Sequence, residues 1–116
     1  VNTDKTYFHN TKPIAFIERY CSKLNINKEL TKVSEFVALR IEKMNLMPEN
    51  TPHSVAAGII YFITQSCHLN ISKHDVNLIS EISEVTINKC YKKLVLLQKT
   101  KSTSLIPSVI LKKYKA

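Results

Sequence analysis

No acidic, lysine or arginine side chain occurs between Pro52 and Cys67, and the segment Ser54-Val55-Ala56-Ala57-Gly58-Ile59-Ile60-Tyr61-Phe62-Ile63 is apolar almost all round. Thr51 offers a capping hydroxyl and Pro52 suits a first helical position, so the stretch is expected to open a helix there and to run to about Cys67. A helix that is hydrophobic on every side has to be surrounded by protein. Its longest apolar run, Val55 to Ile63, falls short of the ~20 residues that cross a bilayer. The expectation is an all-α bundle with this third helix at its centre. The small residues Ala56, Ala57 and Gly58 should let neighbouring helices approach closely, which would justify the ~1 kcal/mol that a glycine costs a helix interior.

The neighbours follow from helical periodicity. Helix one is expected to begin near Pro13, with Phe16, Ile17, Tyr20, Cys21 and Leu24 inward. Asn27 can cap a second helix reaching about Asn45, with Leu30, Val33, Val37, Ile41 and Met44 as its buried stripe. Residues 71–97 read as two further helices joined by a tight turn. Ser72 and Asp75 resemble a capping box, Val76 and Ile79 point inward, and Ser83 with Glu84 opens the fifth helix. On that fifth helix Ile87, Cys90, Tyr91 and Leu94 share one face, and Val85, Asn88, Lys89 and Lys92 share the other. The first face suits a core and the second a DNA groove, so 72–97 is a helix-turn-helix candidate. A helix-turn-helix read from pattern alone is often just a helical hairpin. Gln98 to Ser104 should be a polar break before a short final helix or docked tail at 105–111, with Lys112, Lys113 and Lys115 as a solvated end.

With 116 residues, 44% of them hydrophobic, one Gly and four Pro, the chain is sized for one helical domain. Its net charge of +8 favours a polyanionic partner without distinguishing nucleic acid from an acidic protein. Cys21, Cys67 and Cys90 are widely spaced on apolar faces and are expected to be reduced core thiols. His9, His53, His68 and His74 lack the i, i+4 pairing of a helical metal site and are expected at the surface, with no cofactor. Without a paired acid and base, a glycine-rich phosphate loop or an activated serine, no enzyme is expected. No signal or membrane segment is visible, so a soluble intracellular chain, monomeric by default, is expected. It begins at Val1 rather than Met, which suggests an excised or processed piece of a longer protein.

Three segments carry a family resemblance: Phe16-Ile17-Glu18-Arg19-Tyr20-Cys21-Ser22-Lys23-Leu24, Ser54-Val55-Ala56-Ala57-Gly58-Ile59-Ile60-Tyr61, and Glu84-Val85-Thr86-Ile87-Asn88-Lys89-Cys90-Tyr91-Lys92. In order and spacing they resemble the second cyclin-like repeat of the general transcription factor IIB family. The resemblance covers roughly 16–97, and archaeal factor B and the RNA polymerase III B-related factor share much of it. It implies a five-helix cyclin-like fold, with a helix-turn-helix formed by the fourth and fifth helices and a short C-terminal helix or tail. It also implies a nuclear factor that binds promoter DNA upstream of the TATA box together with TATA-binding protein and helps recruit RNA polymerase II. Carried onto this sequence, the family's base-reading positions fall on Val85, Thr86 and Asn88, and DNA-backbone contacts on Lys92, with Lys89 and Lys93 clustered beside them. The organisation expected is a linker end at 1–12, the repeat at 13–97 and an extension at 98–116.

Two departures from the family pattern stand out. Glu81 occupies a turn position commonly held by Gly, where a left-handed backbone is costly for other residues, so an altered turn is expected. Asn88 replaces an arginine common in animal members. Since Arg pairs with guanine and Asn with adenine, weaker reading of G/C-rich flanks and a lean toward adenine are expected. The rival reading is a cyclin-type protein-interaction domain whose lysines serve solubility only. Arg19, Lys23 and Arg40 are expected to be structural or solvated.

Overall fold

The computed structural model describes residues 12–100 and 105–114. Tyr7, Phe8, His9, the remainder of the polar segment Lys101 to Ser104, and Lys115 lie outside these described residues. Among the described residues there are six helices: α1 (Ile14–Lys23), α2 (Lys28–Lys43), α3 (Pro52–Ser66), α4 (Lys73–Ser80), α5 (Glu84–Thr100) and α6 (Ser108–Lys113). No strand occurs among the described residues.

The starts of these helices follow their side chains. Asn27 Oδ1 accepts the Leu30 N–H at 2.8 Å, Thr51 Oγ1 accepts the Ser54 N–H at 3.4 Å, and Ser72 with Asp75 forms a reciprocal capping box. The ends are less conventional, because the only glycine is not used at any of them. Asn25, Asn45 and His68 take left-handed backbone conformations (φ 58°, 50° and 60°) just past α1, α2 and α3. The next N–H in each case reaches back to a carbonyl of the last turn: Ile26 to Cys21 at 2.9 Å, Leu46 to Ile41 at 3.0 Å, Leu69 to Thr64 at 2.8 Å. These are Schellman closures, and the apolar Ile26, Leu46 and Leu69 that follow pack against the core.

Helix α3 is the hub, in contact with α1, α2, α4 and α5, most extensively with α5. Every residue from Ser54 to Ile60 is buried, as are Phe62, Ile63 and Thr64. Around it lie Ile17, Tyr20 and Cys21 of α1, Leu30, Val33, Val37 and Ile41 of α2, Val76 of α4, and Ile87, Cys90 and Leu94 of α5, all buried. Phe16, Leu24, Ile79 and Tyr91 pack at the edge of this core, Tyr91 edge-on to Tyr61 with 4.8 Å between ring centroids. An ideal Cβ on Gly58 would stand 2.4 Å from the Cys90 Cβ, so α3 and α5 meet at a distance that only glycine permits. All three cysteines are free and buried. No helix of the described residues is long and apolar enough to cross a membrane.

The structure corrects three expectations. Met44 is not in the buried stripe but 48% exposed, because α2 stops at Lys43; the reversal at Asn45 turns Leu46 and Met47 inward instead, and Met47 is buried. The expected break at Gln98 begins later, since α5 runs on to Thr100. Gln98 uses its side-chain Oε1 to accept the backbone N–H groups of Leu105 and Ile106 at 2.8 and 3.2 Å, which seats those two residues in the core. Nor is Lys113 a loose end. It donates to Glu29 Oε2 at 3.1 Å, and Tyr114 Oη donates to Glu29 Oε1 at 2.8 Å while accepting from Asn27 Nδ2 at 3.0 Å. The result is that α6 is fastened to the start of α2.

Candidate nucleic-acid interface

Helices α4 and α5 are joined by only three residues, and each of these carries a structural task. Glu81 adopts φ 63°, ψ 17°, and its N–H donates to Asn77 O at 2.8 Å, closing α4. The turn expected to be altered by Glu81 therefore takes the left-handed form with glutamate in place. Asn77 Nδ2 donates to Ile82 O at 2.8 Å, and Ser80 Oγ accepts the Ile82 N–H at 3.1 Å while donating to Val76 O. These bonds supply the support that a non-glycine residue in this conformation needs. Ser83 Oγ then accepts the Thr86 N–H at 3.2 Å and donates to Thr86 Oγ1 at 2.9 Å, capping α5. Thr86, expected as a base-reading residue, is half-buried and engaged in that cap.

The two faces of α5 separate as its periodicity requires. Ile87, Cys90 and Leu94 are buried, whereas Val85 is 65% exposed and Lys89 and Lys92 are exposed. Lys93 does not join that outer face. It pairs with Glu49 in the α2–α3 connection and approaches Asn50 Oδ1 at 3.5 Å. Asn88 is half-buried, and its Oδ1 accepts a hydrogen bond from Lys73 Nζ at 3.4 Å. One residue on, His74 Nδ1 lies 3.4 Å from Glu84 Oε2. Successive residues of the first turn of α4 thus meet Glu84 and Asn88, one helical turn apart on α5.

Chemically, the outer face offers cations at Lys73, Lys89 and Lys92, an amide at Asn88 and a projecting apolar group at Val85. Phosphate oxygens accept from lysines, and a valine can meet a thymine methyl group. Glu84 stands in the first turn of α5, where the macrodipole favours a carboxylate. Lys73 is the residue that sequence reasoning passed over. Its signal was an unfavourable one, a cation in the first turn of a helix, where the dipole opposes it. Arg19 and Arg40 lie over the rings of Phe16 and Phe36, 5.9 and 5.5 Å from the centroids. His53 is exposed with its ring 5.1 Å from that of Phe16, and His68 sits exposed in the α3 closure. No cluster of three or more metal-ligating side chains occurs among the described residues.

A buried central helix ringed by its neighbours, with the fourth and fifth helices in a helix-turn-helix, defines a cyclin-like helical repeat. The chain belongs to the transcription factor TFIIB repeat family, whose model matches residues 7–96. It is 37% identical over 79 residues to a transcription initiation factor IIB-like protein of Acanthamoeba polyphaga mimivirus, covering 68% of this chain and 17% of that protein. It is 32% identical over 81 residues to transcription initiation factor IIB of Encephalitozoon cuniculi (68% and 26%), and 33% identical over 79 residues to that of Oryza sativa (68% and 25%). The chain therefore spans about a quarter or less of the length of these relatives.

Proposed function

We propose that this chain is the second cyclin-like repeat of a transcription initiation factor of the IIB type, acting in the nucleus as a binding module rather than an enzyme. In this reading the outer face of α5 docks on promoter DNA upstream of the TATA box, TATA-binding protein holds the same promoter, and the assembly helps recruit RNA polymerase II. The unit that does so is the repeat expected at 13–97, to whose core Leu105 and Ile106 of the 98–116 extension contribute. The observation that carries the reading is the split of α5: Val85, Lys89 and Lys92 are exposed on the side opposite the buried Ile87, Cys90 and Leu94. Val85, Thr86 and Asn88 are the proposed groove-side positions, with Thr86 acting through the helix cap. Lys89 and Lys92 are the phosphate contacts.

A second reading, a cyclin-type protein-interaction domain, draws on the apolar surface of α2 and its C-terminal cap, where Phe36, Leu39 and Met44 are 42%, 48% and 48% exposed. Fluorescence anisotropy of the chain on a labelled duplex across a salt series separates the two. Phosphate binding gives a log–log slope of about −0.9 per contact, and Lys89→Ala or Lys92→Ala should each reduce the slope by about 1. Lys93→Ala, already paired with Glu49, should leave it nearly unchanged. Binding that ignores salt, or a slope insensitive to Lys89 and Lys92, would reject the DNA reading.

A further inference from the structure

The contact between Lys73 and Asn88 bears on which base edge this face can accept. A lysine ammonium has donors only. The amide atom it meets is therefore the oxygen, and Asn88 Oδ1 accepts from Lys73 Nζ at 3.4 Å. That contact orients the amide, with its oxygen toward α4 and its Nδ2 hydrogens away. It also places a positive charge beside the oxygen. Both residues are half-buried, and Lys73 is the first residue of α4, within the Ser72–Asp75 capping box. His74 and Glu84 meet one position along, between the same two helix turns.

On this geometry, and resting on the DNA reading above, we infer that Lys73 and Asn88 form one composite group that presents N–H donors to the major groove and selects guanine over adenine. Guanine offers two neighbouring acceptors, N7 and O6, to such a group. Adenine offers N7 beside an N6 amino donor, and the paired contact of a free asparagine needs the amide oxygen to receive that amino group. Here one lone pair of the oxygen is taken by Lys73, and an N6 amino group approaching the other would meet the Lys73 ammonium, donor against donor. Lys73 is thus a specificity-determining residue, and it reverses the preference expected of Asn88 considered alone.

The test is selection by the 116-residue chain, at low salt, from a duplex pool with a randomised central tract. Circular dichroism of each variant serves as the folding control. The wild-type chain should enrich guanine in one column by roughly tenfold over adenine, the scale of one good base contact. Lys73→Met should lose that enrichment while keeping salt-sensitive binding, and Asn88→Ala should lose it as well. An adenine column from the wild type, or a guanine column that survives Lys73→Met, would overturn the inference. Salt-sensitive binding with flat columns would overturn it too, while leaving the DNA reading intact. Absence of any salt-sensitive binding would instead remove the DNA reading and this inference with it.

Discussion

Gly58 faces Cys90 across the α3–α5 contact so closely that a methyl group on residue 58 would sit 2.4 Å from the Cys90 Cβ. Both atoms are rooted in helix backbone, so neither can swing aside. Gly58→Ala should gain the ~1 kcal/mol of helix propensity and lose more to overpacking, whose usual cost is about 1–3 kcal/mol. A close contact of this kind belongs at the upper end of that range, for a net loss of about 2 kcal/mol in urea unfolding. Cys90→Ala should not rescue the variant, because the colliding atom is the Cβ that alanine retains. An unchanged or raised midpoint for Gly58→Ala would contradict the packing described here.

The left-handed backbone of Glu81 makes a prediction of opposite sign. For a residue with a Cβ this conformation costs roughly 1–2 kcal/mol, and Glu81 holds it at φ 63°. Glu81→Gly should therefore raise stability by about 0.5–1 kcal/mol after the entropy that glycine adds to the unfolded chain. Glu81→Ala keeps the Cβ and should bring no such gain. If both variants stabilise equally in thermal unfolding, the charge of Glu81 rather than its backbone is responsible.

These two positions also mark the limit of what the sequence discloses. The helix starts were legible because Asn27, Thr51, Ser72 and Ser83 are capping residues placed before apolar periodicity. The ends were harder to locate, since Asn25, Asn45, His68 and Glu81 do the work for which glycine is the usual signal, while the one glycine serves a helix contact. The division of α5 into a buried and an outer face followed from its period. What periodicity could not show was tertiary competition for the outer side chains. Lys92 and Lys93 are neighbours of identical chemistry, yet Glu49, 44 positions earlier, reaches only the second. Lys73 and Asn88 are 15 positions apart, and only the turn geometry brings them together. Gln98 looked like the start of a polar break because its partners, the N–H groups of Leu105 and Ile106, are backbone groups that any sequence provides.

The thiols offer a test of the core. Burial pushes the pKa of Cys21, Cys67 and Cys90 upward, which keeps each of them in the poorly nucleophilic thiol form. Under native conditions at neutral pH, alkylation by iodoacetamide should be slow at all three. In denaturing urea all three should react together. Rapid native labelling of Cys90, checked by mass spectrometry, would mean that the α3–α5 contact opens readily.

The fastening of α6 should depend on pH. Hydrogen bonds from Tyr114 first and Lys113 second hold the Glu29 carboxylate below its ordinary range. A folded-state pKa that is lowered contributes stability above the unfolded carboxylate's pKa and loses it as pH falls through the folded value. The partner behaves in the opposite sense: Glu29 raises the Lys113 pKa, and that contribution disappears as pH climbs through the raised value. Docking of α6 should accordingly be firm at neutral pH and loosen in acid. A carboxyl-carbon NMR titration of Glu29 should show the depressed pKa, and Tyr114→Phe should move it up toward the ordinary range. No movement in that variant would refute the contact.

The proposed DNA contact lies on the outer face of α5, with the first turn of α4. The most direct measurement is a titration of the 15N-labelled chain with a short duplex, followed by amide chemical shifts. Shifts should concentrate at Lys73, Val85, Asn88, Lys89 and Lys92 and fade as salt is raised, with Phe36 and Leu39 on α2 and Met44 just past its end undisturbed. Shifts centred on that α2 surface, or none beyond those caused by buffer alone, would contradict the proposed contact.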